Sequence, residues 1–146
     1  MRGCIATAAL LATLALAACD NRSNTGYSRG APGGAPSGDP VLIRMAREAM
    51  PLTQGLERCR ATYGSYPPNP EATMGCLPRG APMTRQGRFV RVGEWLISPD
   101  KTGAGYTMSR QVDARAMLLR RCVKQSCQWI LDPGDGRPSL QMNLGA

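Results

Sequence analysis

The chain has 146 residues, with 18 basic and 10 acidic side chains, a net charge of +8 and no histidine. That length suits one small domain rather than two, and the lack of histidine removes the commonest general base, the usual zinc ligand and histidine-dependent haem attachment. The positive excess speaks first for solubility, with attraction to anionic lipid headgroups as a secondary effect.

In chain order, the first element is a targeting segment. Arg2 supplies a positive start and Ile5 to Ala18 an apolar run too short to span a bilayer comfortably. The end of this run, Leu16-Ala17-Ala18-Cys19, resembles the lipobox of bacterial lipoproteins. The resemblance implies that residues 1–18 are a cleaved signal peptide and that Cys19 carries fatty acyl chains such as palmitate on its thiol and its new amino terminus. Several acyl chains, at about 0.8 kcal/mol per buried methylene, hold a protein essentially permanently. The alternative is an ordinary secretory signal in which Cys19 is incidental. Asp20 resembles the signal that retains lipoproteins of enteric bacteria in the inner membrane, so the inner membrane's periplasmic side is favoured and the outer membrane is the alternative. An anchor outside the cytoplasm places nucleic acid out of reach as a partner. No other segment is apolar enough to span a membrane, so the lipid is expected to be the only anchor.

Residues 20–38, "DNRSNTGYSRGAPGGAPSG", carry too little apolar surface to fold. Together with the lipidated Cys19 they form a flexible linker with a reach of about 25 Å root-mean-square. The domain then occupies residues 39–146. Asp39-Pro40 pairs an N-cap with proline at the first helical position. Leu42, Met45, Ala49, Leu52, Leu56, Cys59 and Tyr63 follow at alternating spacings of three and four, which predicts one long helix with a single apolar stripe. Pro51 removes a helical hydrogen bond and predicts a kink there, with Gly55 loosening the same region. Gly64 suits the left-handed position after a helix, and Pro67, Pro68 and Pro70 forbid resumption. Tyr63 is expected to close the stripe. Tyr66, in an extended Tyr-Pro pair, is expected to fold back over the helix end, the alternative being a simple helix stop.

After a Pro- and Gly-rich loop holding Cys76, the period changes to two. "RFVRVGEWLIS" predicts a hairpin turning at Gly93-Glu94, with Val92 opposite Trp95, Val90 opposite Ile97 and all four on one face. Tyr106 and Met108 mark a further short strand. "MLLRRCVKQSCQWILDPGDG" reads as a second hairpin with Cys122 opposite Cys127, Arg120 opposite Trp129 and Leu118 opposite Leu131; a short helix from Val112 to Cys122 is the competing assignment. With Cys4 lost and Cys19 lipidated, Cys59, Cys76, Cys122 and Cys127 remain. In an oxidising compartment they suggest two disulfides, with three pairings open and the local ones, Cys59–Cys76 and Cys122–Cys127, favoured. The predicted class is α+β: one long kinked N-terminal helix packed on a small antiparallel sheet of four or five strands.

Leu56 to Ala72, "LERCRATYGSYPPNPEA", resembles the end of the long helix and the following loop in type IV pilin-like proteins, especially the pseudopilins of type II secretion; "GYTMSRQ" and "WILDPGDG" are similar to their strand and terminal-loop sequences. The resemblance implies a pilin-like head. The apolar helix half that packs a pilus filament is missing from this domain, because the apolar segment is a signal peptide separated by a linker. The expected role is therefore accessory: a non-enzymatic, lipid-anchored periplasmic protein that binds another envelope component, such as secretion or pilus machinery, without cofactor or bound metal.

Few residues here suit catalysis. Ser98-Pro99-Asp100-Lys101 and Lys101-Thr102-Gly103 match patterns of serine acyl-enzymes, but overlap where those enzymes keep them apart. Cys122 and Cys127 are too far apart in sequence for a thioredoxin-like pair, which favours a structural clasp. These groups define the alternative function, a small envelope hydrolase or thiol-redox protein, and a passive structural lipoprotein is a third. Asp132, Asp135 and Asp100 together could bind calcium, though without EF-hand spacing Asp132-Pro-Gly-Asp-Gly reads as a polar turn. Arg88, Arg91, Arg110, Arg115, Arg120, Arg121 and Lys124 are expected on the sheet, either as a solvated face or as a stripe that receives an acidic partner.

Overall fold

The computed structural model describes residues 38–145. The signal peptide, Cys19 and almost all of the linker lie outside the described residues. Helix α1 runs from Pro40 to Tyr63 with Pro51 inside it. The Asp39 carboxylate accepts the backbone N–H groups of Val41 at 2.8 Å and Leu42 at 3.4 Å, satisfying two donors that helix geometry leaves unpaired. Gly64 ends it at φ 80°, and its N–H returns to the Arg60 carbonyl. Leu42, Met45, Ala49, Leu52 and Leu56 are buried as the spacing required, but the stripe stops there: Cys59 is half-buried and Tyr63 is 77% exposed.

The loop expected around Cys76 contains a second helix, α2, Pro70–Cys76, capped by the Asn69 side chain on the Ala72 N–H. Seven strands follow: β1 Met83–Gln86, β2 Phe89–Val92, β3 Trp95–Pro99, β4 Gly105–Gln111, β5 Met117–Val123, β6 Ser126–Asp132 and β7 Leu140–Met142. They form a single antiparallel sheet in which every strand pairs with its neighbour in sequence. A meander of this kind needs only tight turns and short loops between strands, so each hairpin can form locally.

This architecture overturns the expected fold class. The sheet has seven strands, not four or five, and is the larger part of the regular structure, so the fold is not a pilin-like long helix packed on a small sheet. The two additional strands are short edges: β1 follows Pro78, Gly80 and Pro82 and shows no clean alternation, and β7 has three residues behind Pro138. The second hairpin forms as expected, so the competing helix from Val112 to Cys122 does not: Met117–Val123 is β5. The last two turns of α1, beyond Leu56, leave the core, so the helix is not the spine of the molecule.

The hairpin registers agree with the sequence. Val92 pairs with Trp95 and Val90 with Ile97; Leu118 pairs with Leu131, Arg120 with Trp129 and Cys122 with Cys127. Because paired residues share a face, these contacts define an inner face carrying Val90, Val92, Trp95, Ile97, Tyr106, Met108, Leu118, Trp129, Leu131 and Met142. All of these are buried in one cluster with the stripe of α1. Both disulfides take the local pairing, Cys59–Cys76 joining α1 to α2 and Cys122–Cys127 crossing β5 to β6.

Tyr66 folds back as expected and is 1% exposed. Its hydroxyl donates to Glu57 Oε1 at 2.7 Å, and its ring meets that of Tyr106 edge-on at 5.2 Å. The Gly-Ser-Tyr-Pro junction is thus a latch that ties the end of α1 to the sheet. Burial first, then the Glu57 carboxylate, push the Tyr66 hydroxyl well above the ordinary phenol value; burial also raises Tyr106, with Arg120 pulling it partly back. An acid whose folded pKa is raised contributes stability below its unfolded pKa, about 10, and loses it as pH rises further. Stability should therefore fall steeply above about pH 10. Tyr66→Phe should cost about 1 kcal/mol at neutral pH, from the lost bond to Glu57, and should flatten the alkaline fall. Denaturant titrations at several alkaline pH values, with phenolate absorbance as a second readout, check both; an unchanged alkaline slope would contradict the assignment.

Candidate functional site

The two faces of the sheet differ in what covers them. On the inner face, Arg110 and Arg120 stack over Trp95 at 5.8 Å and Trp129 at 5.2 Å, which lets cations sit beside a core through the ring quadrupoles. Arg110 also pairs with Glu48 of α1 and Glu94 of the β2–β3 turn. These two arginines serve packing, so they leave the expected cationic stripe. Arg88 and Lys124 lie in turns, Arg88 stacked on Phe89 at 5.0 Å, and Arg115 lies in the β4–β5 loop.

Arg91 and Arg121 remain on the outer face. One row of paired residues crosses it in the order Arg91, Leu96, Ser109, Leu119, Ile130, Gln141. A second row reads Ser98, Thr107, Arg121, Gln128. None of these side chains is buried; Leu96, Leu119 and Ile130 are half-buried, and Met117 and Val123 beside them are 37% and 46% exposed. With strands about 4.8 Å apart, the distance from Leu96 to Ile130 is about 14 Å. This open apolar band, bordered by Arg91 and Arg121, was missed in the sequence. Its signal was present, since Leu118-Leu119 and Trp129-Ile130-Leu131 are unbroken apolar runs, and a strand with apolar residues at both parities is apolar on both faces. Neither Arg91 nor Arg121 has an ion-pair partner among the described residues.

The residues considered for chemistry are not assembled into a reactive site. Ser98 faces outward on β3, while Lys101 is exposed in the β3–β4 loop, and no hydrogen bond joins them among the described residues. The Asp100 carboxylate accepts the Thr102 N–H at 2.8 Å and its hydroxyl at 2.7 Å, which lowers its pKa. Asp100 lies at the opposite end of the sheet from Asp132 and Asp135, so the three carboxylates considered for calcium do not converge. Asp132 instead accepts the Gly134 N–H at 2.9 Å, and Asp135 chelates Arg137. Glu57, Cys122 and Cys127 lie close enough to share a ligand, but both sulfurs are tied in the disulfide and offer no thiolate. Glu57 Oε1 sits 3.6 Å from Cys127 Sγ and is engaged by Tyr66 and Arg60 through its two oxygens.

A cavity of about 360 Å³ opens at the end of the sheet where the β4–β5 and β6–β7 loops meet, lined by Asp113, Arg115, Ala116, Leu131, Pro133, Asp135, Arg137, Pro138 and Leu140. Asp113 is held there as a turn cap, accepting the N–H groups of Arg115 and Ala116 at 2.8 Å, and these bonds lower its pKa.

Among the described residues the fold is a single-layer antiparallel meander, covered on one side by a helix and open on the other. The chain matches no protein-family model, no curated protein and no solved structure. Among the described residues no helix is long and apolar enough to cross a membrane.

Proposed function

We propose that this is a lipid-anchored, non-catalytic binding protein of the cell envelope, held by Cys19 on the periplasmic side of a membrane, whose outer sheet face docks an acidic, partly apolar surface of another envelope protein. The observation that carries the proposal is the row Leu96–Leu119–Ile130 flanked by two arginines without ion-pair partners. Apolar side chains of this size on β3, β5 and β6, with only Ser109 of β4 between them, leave an area that gains by being covered, and the unpaired guanidiniums favour carboxylates on whatever covers it. The lipobox resemblance at Cys19 fits the same role, because an acyl anchor there would confine the domain near a membrane. A link to secretion or pilus machinery rested on a pilin-like head and is dropped with it.

The test places a photo-crosslinking residue at Leu119, at Ile130 or at Gln54 on the exposed side of α1, in the full lipidated chain in its own envelope. A discrete protein adduct is expected from the first two positions and none from Gln54. Arg91→Glu with Arg121→Glu should abolish it, and the partner's crosslinked segment should be acidic. Adducts to lipid alone would mean that the face rests on the membrane, and equal adducts from all three positions would mean that the surface is not selective; either overturns the proposal. Retention in the membrane fraction should be lost when Cys19 is replaced by Ala.

A further inference from the structure

The cavity between the β4–β5 and β6–β7 loops lies at the inner-face end of the sheet, away from the outer row, and its walls combine two chemistries. Its floor is apolar: Leu131 is 1% exposed, Ala116 5%, and Leu140 half-buried. Its rim is charged, but unequally engaged. Asp113 already accepts two backbone N–H groups, and Asp135 is bonded by both the backbone and the guanidinium of Arg137. The Arg115 guanidinium, by contrast, has no hydrogen bond or ion pair among the described residues.

The backbone beneath that guanidinium is fixed. The Arg115 N–H is held by Asp113, and its carbonyl is pressed against Gly134, where an added Cβ would come within 2.1 Å of the Arg115 oxygen. Gly134 also stands at φ 65°, a conformation that side-chain-bearing residues rarely adopt. The two loops are thus locked together, and they place at the edge of an apolar pocket of a size that suits a small ligand one guanidinium that has no hydrogen bond or ion pair among the described residues, though its charge is felt by the Asp113 carboxylate.

We propose that this cleft binds a small amphipathic carboxylate: the anionic head paired with Arg115 and the aliphatic body against Ala116, Leu131 and Leu140. Asp113 accepts two backbone N–H groups through Oδ1 and Asp135 is held by Arg137 through both oxygens, so neither carboxylate is paired with the Arg115 guanidinium; their negative charge opposes an anionic head, and the two guanidiniums of Arg115 and Arg137 offset it. The proposal is independent of the docking role of the outer face, since the two sites share no residue.

The experiment uses the full lipidated protein in nanodiscs, with empty nanodiscs as background, and titrates hexanoate, hexanol and hexylammonium while following methyl resonances of Ala116, Leu131 and Leu140. Saturable shifts with hexanoate are expected, with hexanol and hexylammonium about tenfold weaker or more, as loss of a charge-assisted pair implies. Arg115→Gln should weaken hexanoate by a similar factor and leave hexanol unchanged, while Arg115→Lys should retain part of the affinity. Leu140→Trp, which fills the cleft without altering charge, should abolish binding of all three. Equal affinity for hexanoate and hexanol, unchanged affinity in Arg115→Gln or Leu140→Trp, or no saturable shift with hexanoate would each overturn the proposal.

Discussion

Replacing Cys59 and Cys76 together by Ala should lower the unfolding free energy by about 3 kcal/mol, the larger of the two disulfide effects in this domain. In the chain-entropy model a crosslink stabilises by restricting the unfolded chain, and the restriction grows with the loop it closes. The Cys59–Cys76 bridge spans 17 residues and Cys122–Cys127 only 5, so the second should contribute about 2 kcal/mol by the same relation. The longer bridge also does something the shorter one does not. Cys122 and Cys127 are already held opposite each other by the β5–β6 ladder, whereas no strand ladder holds α2, which packs on α1, β1, β2 and β3, and the bridge is its covalent tie to α1. Chemical denaturation of the double variant and of Cys122→Ala/Cys127→Ala, each compared with the parent, measures the difference. Equal losses would show that native-state contacts, not loop length, decide the stabilisation.

Gly55→Ala should destabilise the domain by about 1–3 kcal/mol, although helix propensity alone favours Ala over Gly by about 1 kcal/mol. An added Cβ at Gly55 would stand 2.3 Å from the Cys76 carbonyl oxygen and 3.3 Å from its carbon. Those are backbone atoms at the end of α2, held by the disulfide to Cys59 one turn further along α1, and they cannot swing away as a flexible side chain could. The glycine lets α2 approach α1 at the point where the bridge closes, so it is a packing residue and not a loosening one. Thermal melts of Gly55→Ala in the parent and in the Cys59→Ala/Cys76→Ala background test this. The penalty should shrink once the bridge is gone and α2 can retreat, and a stabilising effect in the parent would refute the close approach.

Much of the fold was legible before any coordinates. The N-cap at Asp39, the helical stripe to Leu56, the stop at Gly64, the inward turn of Tyr66, both hairpin registers and both disulfides followed from local rules: period, turn chemistry and the short reach of neighbouring cysteines. A meander favours such rules, because each strand pairs with the next one in sequence and register passes from turn to turn. The edge strands escaped because β1 and β7 have three or four residues and a single pairing partner each, so they carry little pattern of their own and exist because a neighbour offers an unpaired edge.

What the sequence by itself determined is the order of local units: a capped amphipathic helix, a tyrosine latch and a succession of hairpins. Only the tertiary structure decided how those units divide their surfaces. It turned Arg110 and Arg120 inward over tryptophans and left Arg91 and Arg121 outside; it brought Glu57 to the Cys122–Cys127 bridge and the Arg115 loop onto Gly134. The physical reason is that strand alternation fixes which residues share a face but not which face meets the helix. That choice is made by burial of the whole set at once, where two tryptophans and a helical stripe outweigh the smaller apolar row left open on the other side.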